Sequence, residues 1–151
     1  MPDEFTHLIT GDDIPEFHVR TIDGQDLYIG REPGRIMLLH FFILSCPYCR
    51  KSLERLDMLQ EKYKGNQGFF MLSIGREHTS KELRAYREAN KLELCMAPDP
   101  DRGIYNNFAI KKVPRCYLFS KEGTLLFQIR GSDESAFHDL MQIIRTELAG
   151  E

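Results

Sequence analysis

The sequence predicts one α/β domain: a central mixed β-sheet flanked by helices on both faces, with an N-terminal β-hairpin. Three observations carry that expectation. Residues 36–44 are apolar on both faces of a strand, the pattern of a sheet centre covered on two sides. The next stretch, CPYCRKSLERLDMLQEKYKG, switches to three-to-four spacing, placing Leu53, Leu56, Leu59 or Gln60, and Tyr63 on one helical stripe. Later, RCYLFSKEGTLLFQI reads as two strands around Glu122-Gly123. It is followed by a helix with Phe137, Leu140, Met141, Ile144 and Leu148 on one face.

The remaining elements follow in chain order. Residues 1–12 are polar and expected as a loose lead-in, with residues 13–150 forming the domain. FHVRTIDGQDLYI is a hairpin around Asp23-Gly24. Pro47 suits the first turn of the helix that follows the central strand, and Gly65, after Lys62 and Lys64, stops it. FFMLSI is a second buried strand, which completes a right-handed βαβ unit. Thr79 and Glu82 stand at capping-box spacing, opening a helix with Leu83, Tyr86 and Ala89 inward. LELCMA is a short strand and DRGIYNNFAI a short helix. Alternating strands and helices, closed by a hairpin and a helix, give the α/β class.

Composition excludes some functions. A net charge of −3 argues against a general nucleic-acid binder, which carries a basic excess. No run approaches the roughly 18 apolar residues of a membrane span, so no stable membrane insertion is expected. The opening MPDEFTHLIT has neither a basic n-region nor an apolar h-region. The compartment is then cytoplasmic if the chain starts here, and extracytoplasmic or periplasmic if it is a mature fragment.

The chemistry concentrates in HFFILSCPYCRKSLERL. Cys46 follows the central strand and precedes the helix, so it should sit at the helix N-terminus, where free N–H groups and the macrodipole favour an anion. Arg50 and Lys51 add positive potential. Cys49 lies about one turn into the helix, in reach of a disulfide with Cys46. Cys46 is then the attacking sulfur and Cys49 the resolving thiol, a redox-active pair that needs no cofactor. Two alternatives stand beside this: a pair of small core residues, and half of a zinc site. Zinc needs four ligands, and neither Cys95 nor Cys116 has a second cysteine or histidine close by, so no metal is expected. His7, His18, His78 and His138 show no ligand spacing.

Further along, KKVPRCYLF puts Pro114 directly before a buried strand, a place where a cis peptide is useful. With these motifs in this order, the chain resembles the thioredoxin superfamily, and within it the bacterial thiol-disulfide oxidoreductases of the TlpA/ResA type. The resemblance spans residues 13–146. It rests on DIPEFHVRTIDGQDL, FFILSCPYC and APDPDRGIYNNFAIKKVPRCYLFSKEG. It implies a thioredoxin-like fold, Cys46 as nucleophile, Cys49 as resolver, and Pro114 as a cis-proline facing the pair with Val113 contacting the partner's backbone.

The chain departs from that pattern at informative places. Phe42 and Ser45 stand where tryptophans are usual, and Ser52 replaces a helix glutamate. His40 occupies the position of thioredoxin's buried aspartate. His40 is therefore a candidate proton relay to Cys49, with a packed neutral histidine as the plainer reading. The Pro47-Tyr48 pair resembles that of glutaredoxins. Pro47, Tyr48, Val113 and Arg115 are the candidate partner-binding residues. Lys111, Lys112 and Arg115 would join Arg50 and Lys51 in a basic active surface suited to an acidic partner or glutathione.

The expected activity is exchange of the Cys46–Cys49 dithiol or disulfide with protein disulfides, dithiols or small thiols. A redox partner recycles the pair, and the protein works as a monomer. A thiol peroxidase and a metallochaperone or non-catalytic thiol-binding module are the alternatives. Cys95 and Cys116 read as buried thiols, with a bridge between them left open.

Overall fold

The computed structural model describes residues 6–149 apart from Glu32. Two short strands, β1 (Phe17–Arg20) and β2 (Asp26–Ile29), form the predicted antiparallel hairpin. The main sheet holds β3 (Ile36–Phe42), β4 (Phe69–Arg76), β5 (Met96–Asp99), β6 (Arg115–Phe119) and β7 (Leu125–Arg130) in the order β5-β4-β3-β6-β7. Strands β3, β4 and β5 run parallel, while β6 and β7 are antiparallel to their neighbours. The described residues also form three α-helices: α1 (Pro47–Lys62), α2 (Ser80–Ala89) and α3 (Glu134–Ala149). A 3₁₀ helix spans Tyr105–Asn107.

Strand β3 is buried along its whole length, as an apolar run in a sheet centre must be. Its side chains alternate between two hydrophobic clusters. Ile36, Leu38 and Phe42 join Leu53, Leu56 and Leu59 of α1, Leu83 of α2, and Leu140 and Ile144 of α3. Met37, Leu39 and Phe41 face the other way, onto Phe17, Ile29, Tyr105 and Phe108. The α-helices thus build one cluster, and the hairpin, the 3₁₀ helix and the lead-in build the other.

Three expectations shift. Residues 6–12 are not loose: Thr6 bridges Ala109, His7 and Gly11 donate backbone hydrogen bonds to Phe108 and Leu125, and Leu8 is buried. A sheet face without an α-helix needs this cover. Residues 1–5 lie outside the described residues. The strand expected over 92–97 begins only at Met96, because side chains claim the groups before it: Asp57 takes the Glu93 N–H and Arg87 the Leu94 carbonyl. In α2, Leu83 is buried but Ala89 is exposed, since the helix packs on β4 near Gly75, not along its full length.

Candidate active site

Parallel β3 and β4 end on the same side of the sheet, and the site is assembled there. Cys46 is the N-cap of α1, with extended backbone (φ −96°, ψ 118°), and its sulfur accepts the Cys49 N–H at 3.4 Å. Pro47 opens the first turn, where a missing N–H leaves no bond unmade. Cys46 is partly exposed, Pro47 is exposed and Tyr48 is 66% exposed, whereas Cys49 is fully buried. Burial pushes the Cys49 thiol up to about 12, against a backbone hydrogen bond from Ile43 and the Arg76 charge, which pull it down. All four cysteines are free thiols.

Antiparallel pairing brings the second motif to the same end. Arg115 pairs with Phe41, so Pro114 lies beside the end of β3 from which residues 43–46 lead into α1. The Val113–Pro114 peptide is cis. Val113 is half-buried and packs against both clusters, including the one that holds Cys49. The preceding loop is braced from below: the Tyr105 hydroxyl donates to the Lys112 carbonyl at 2.5 Å.

Arg115, expected on a partner-binding surface, is instead fully buried. The strand period explains this: Cys116 faces α1, so Arg115 must face the opposite cluster. Its guanidinium donates to the carbonyls of Lys111 (2.8 Å from Nη2) and Lys112 (3.0 Å from Nε) and to Thr6 Oγ1 (3.0 Å). It braces the loop before Pro114 and presents no charge to a partner. Arg50, Lys51, Lys111 and Lys112 remain exposed.

His40 is wholly buried. Its Nδ1 lies 3.3 Å from Ser73 Oγ, its ring stacks on Phe42, and its Nε2 has no hydrogen-bond partner. Burial lowers its pKa to about 3, so the ring is neutral. It makes no hydrogen bond to Cys49, which favours the packed-histidine reading. Cys116 is buried on the α1 side and burial pushes it to about 12, while Cys95 is pushed to about 11. Cys95 precedes β5 and Cys116 lies in β6, with β4 and β3 between, so the two cannot bridge. Among the described residues no group of three or more His, Cys, Asp or Glu could hold a metal ion, and no helix is long and apolar enough to cross a membrane.

Two hydrogen bonds at Leu44 come from residues outside both motifs' expected contacts. The Leu44 N–H donates to His78 Nε2 at 2.8 Å, and the Leu44 carbonyl accepts from Arg50 Nε at 2.8 Å. His78 forms no ligand motif, but it lies two residues past the end of β4, whose parallel pairing with β3 carries it to this end of the sheet.

Residues 10–128 match the AhpC/TSA family. A thioredoxin-like protein, YneN of Bacillus subtilis, is 22% identical over 116 residues, 76% of this chain and 68% of its own. A thiol-disulfide oxidoreductase, ResA of Bacillus thuringiensis subsp. konkukian, is 22% identical over 80% of this chain and 69% of its own. A solution structure from Bacteroides thetaiotaomicron, proposed to be a protein disulfide isomerase, superposes with a TM-score of 0.91 at 23% identity, covering 96% of this chain and 93% of that one. A thiol:disulfide interchange protein of the thioredoxin family from Chlorobium tepidum has a TM-score of 0.73 at 18% identity, covering 94% and 99%.

Proposed function

The chain belongs to the AhpC/TSA family of thioredoxin-like proteins, and from that premise we propose that it is a thiol-disulfide oxidoreductase acting through Cys46 and Cys49. The observation that carries the reading is the arrangement of the pair. One sulfur is partly exposed at a helix N-cap and accepts the amide of the second cysteine, which is buried one turn on. The helix dipole and that amide support negative charge on the outer sulfur, and burial keeps the inner one a thiol until it is needed.

In the reducing direction, Cys46 attacks a partner disulfide. A Cys46–partner S–S bond forms, and the partner's other sulfur leaves as a thiolate that takes up a proton. Cys49 then gives up its proton and attacks Cys46 Sγ. The mixed disulfide breaks, the second partner thiol departs, and the Cys46–Cys49 disulfide carries the two electrons' worth of oxidation. The reverse sequence oxidises a partner dithiol. The cis Val113–Pro114 segment, at the same end of the sheet, supplies backbone for a partner strand, with Pro47 and Tyr48 on its other side. Protein thiols and disulfides are the substrate class, and a second redox protein recycles the pair. We propose glutathione as the small-thiol partner, held by exposed Arg50, Lys51, Lys111 and Lys112, and a monomeric protein organised as one domain. An extracytoplasmic setting fits, because disulfides persist in oxidising compartments.

Replacing Cys49 with serine tests this. The variant should accumulate mixed disulfides that dithiothreitol releases and that Cys46→Ser never forms. Unimpaired exchange in Cys46→Ser sinks the reading; peroxide consumption in place of disulfide exchange transfers it to a thiol peroxidase.

A further inference from the structure

The segment 43–46 presents the reactive sulfur, and it lies outside the sheet ladder. Pairing of β3 with β4 ends at Phe42 and Gly75. Inside the segment, the Cys46 N–H makes only a 3.4 Å bond to the Ile43 carbonyl. The two short bonds come from outside, both at Leu44: His78 Nε2 on its N–H and Arg50 Nε on its carbonyl, each at 2.8 Å.

A backbone amide can donate only to a lone pair. Nε2 therefore carries no proton, and the ring proton sits on Nδ1, which lies 3.4 Å from Glu82 Oε2. Glu82 is itself fixed, since its carboxylate accepts the Thr79 N–H at 3.0 Å as half of the α2 capping box. The ring also stacks on Phe42, with 6.4 Å between centroids, and its side chain is only 15% exposed. Glu82, Phe42 and the Leu44 amide together fix the tautomer, orientation and position of the imidazole.

We infer that His78 is a positioning residue for disulfide exchange: its unprotonated Nε2 anchors the Leu44 amide and so holds Cys46 on the tip of α1. This rests on the oxidoreductase reading and adds to it a residue outside both cysteine and proline motifs. The sulfur receives the Cys49 N–H only while residues 43–46 keep their path. An unanchored half-buried amide seeks another partner and pulls that path away.

The test compares iodoacetamide alkylation of Cys46 and the reduction potential of the pair in three full-length proteins. His78→Leu removes the acceptor, and the Cys46 rate should fall about tenfold, the worth of one such hydrogen bond, with the potential moving to more negative values. His78→Gln places an amide oxygen near the Nε2 position and should recover most of both. Equal rates and potentials in His78→Leu and the parent overturn the proposal. So does an equal fall in the Leu and Gln variants, which makes the ring's packing the cause. Should His78→Leu fail to fold, long-range ¹H–¹⁵N NMR of the parent decides. An Nδ1–H tautomer with unprotonated Nε2 supports the proposal and an Nε2–H tautomer overturns it. If Cys46 of the parent is itself inert, the oxidoreductase reading fails; if it is reactive and indifferent to His78, only this inference does.

Discussion

The sulfur of Cys46 accepts the backbone N–H of Cys49 at 3.4 Å, so the outer member of the pair is capped by the peptide of the inner one. The two thiols face different surroundings: Cys46 is partly exposed and Cys49 fully buried.

That difference predicts selective chemistry. With Cys49 pushed to about 12, only about one molecule in ten thousand carries its thiolate at pH 8. Brief alkylation of the reduced protein at that pH should modify Cys46 first, with Cys95, raised to about 11, far slower and Cys49 and Cys116 reacting only after denaturation. Peptide mass spectrometry reads the outcome, and early labelling of Cys49 contradicts it.

His40 predicts an acid limb in stability. Its folded pKa of about 3 lies below the ordinary 6.5, so the unfolded chain binds a proton that the folded protein refuses. The contribution is complete above about pH 6.5 and is lost as pH falls toward 3, amounting to a few kcal/mol. Urea denaturation across that window should show a shallower decline for His40→Leu than for the parent. Parallel declines would assign the acid limb to other groups.

Arg115 predicts a coupled loss of stability and turnover. Arg115→Met leaves the Lys111 and Lys112 carbonyls without their donor. Hydrogen bonds from a charged group are worth about 1.5–3 kcal/mol, so unfolding free energy should drop by at least that. Exchange with a model protein disulfide should slow as well, because the braced loop leads into Pro114. A variant with unchanged urea midpoint contradicts the bracing role.

Gly75 sets how closely α2 approaches the sheet. A Cβ there would lie 2.6 Å from Leu83 Cδ2, inside a fully buried contact. Gly75→Ala should cost about 1–3 kcal/mol as α2 is pushed outward, measured by urea unfolding. A neutral result would mean that Leu83 repacks without strain.

Local patterns carried far in this chain. The doubly apolar run became β3, the Thr79/Glu82 spacing became a capping box with both bonds made, and Asp23-Gly24 turned a hairpin. Each depends on neighbours within a few residues, which a linear reading resolves. Arg115 escaped because its neighbours in sequence, Lys111 and Lys112, are cations; it meets them through their carbonyls, and side-chain charge does not announce that. His78 escaped because its partner lies 34 residues away across a parallel strand pair.

The amino-acid sequence alone determined the α/β class, the helix capped by Cys46, and the places of the Cys46/Cys49 and Val113-Pro114 motifs, because turn residues, caps and hydrophobic period act over short distances. Tertiary structure decided which face each side chain meets. It buried Arg115, isolated His40 from Cys49, separated Cys95 from Cys116, and set His78 against Leu44. Those outcomes follow from strand order and register, which long-range pairing fixes and no short stretch of residues contains.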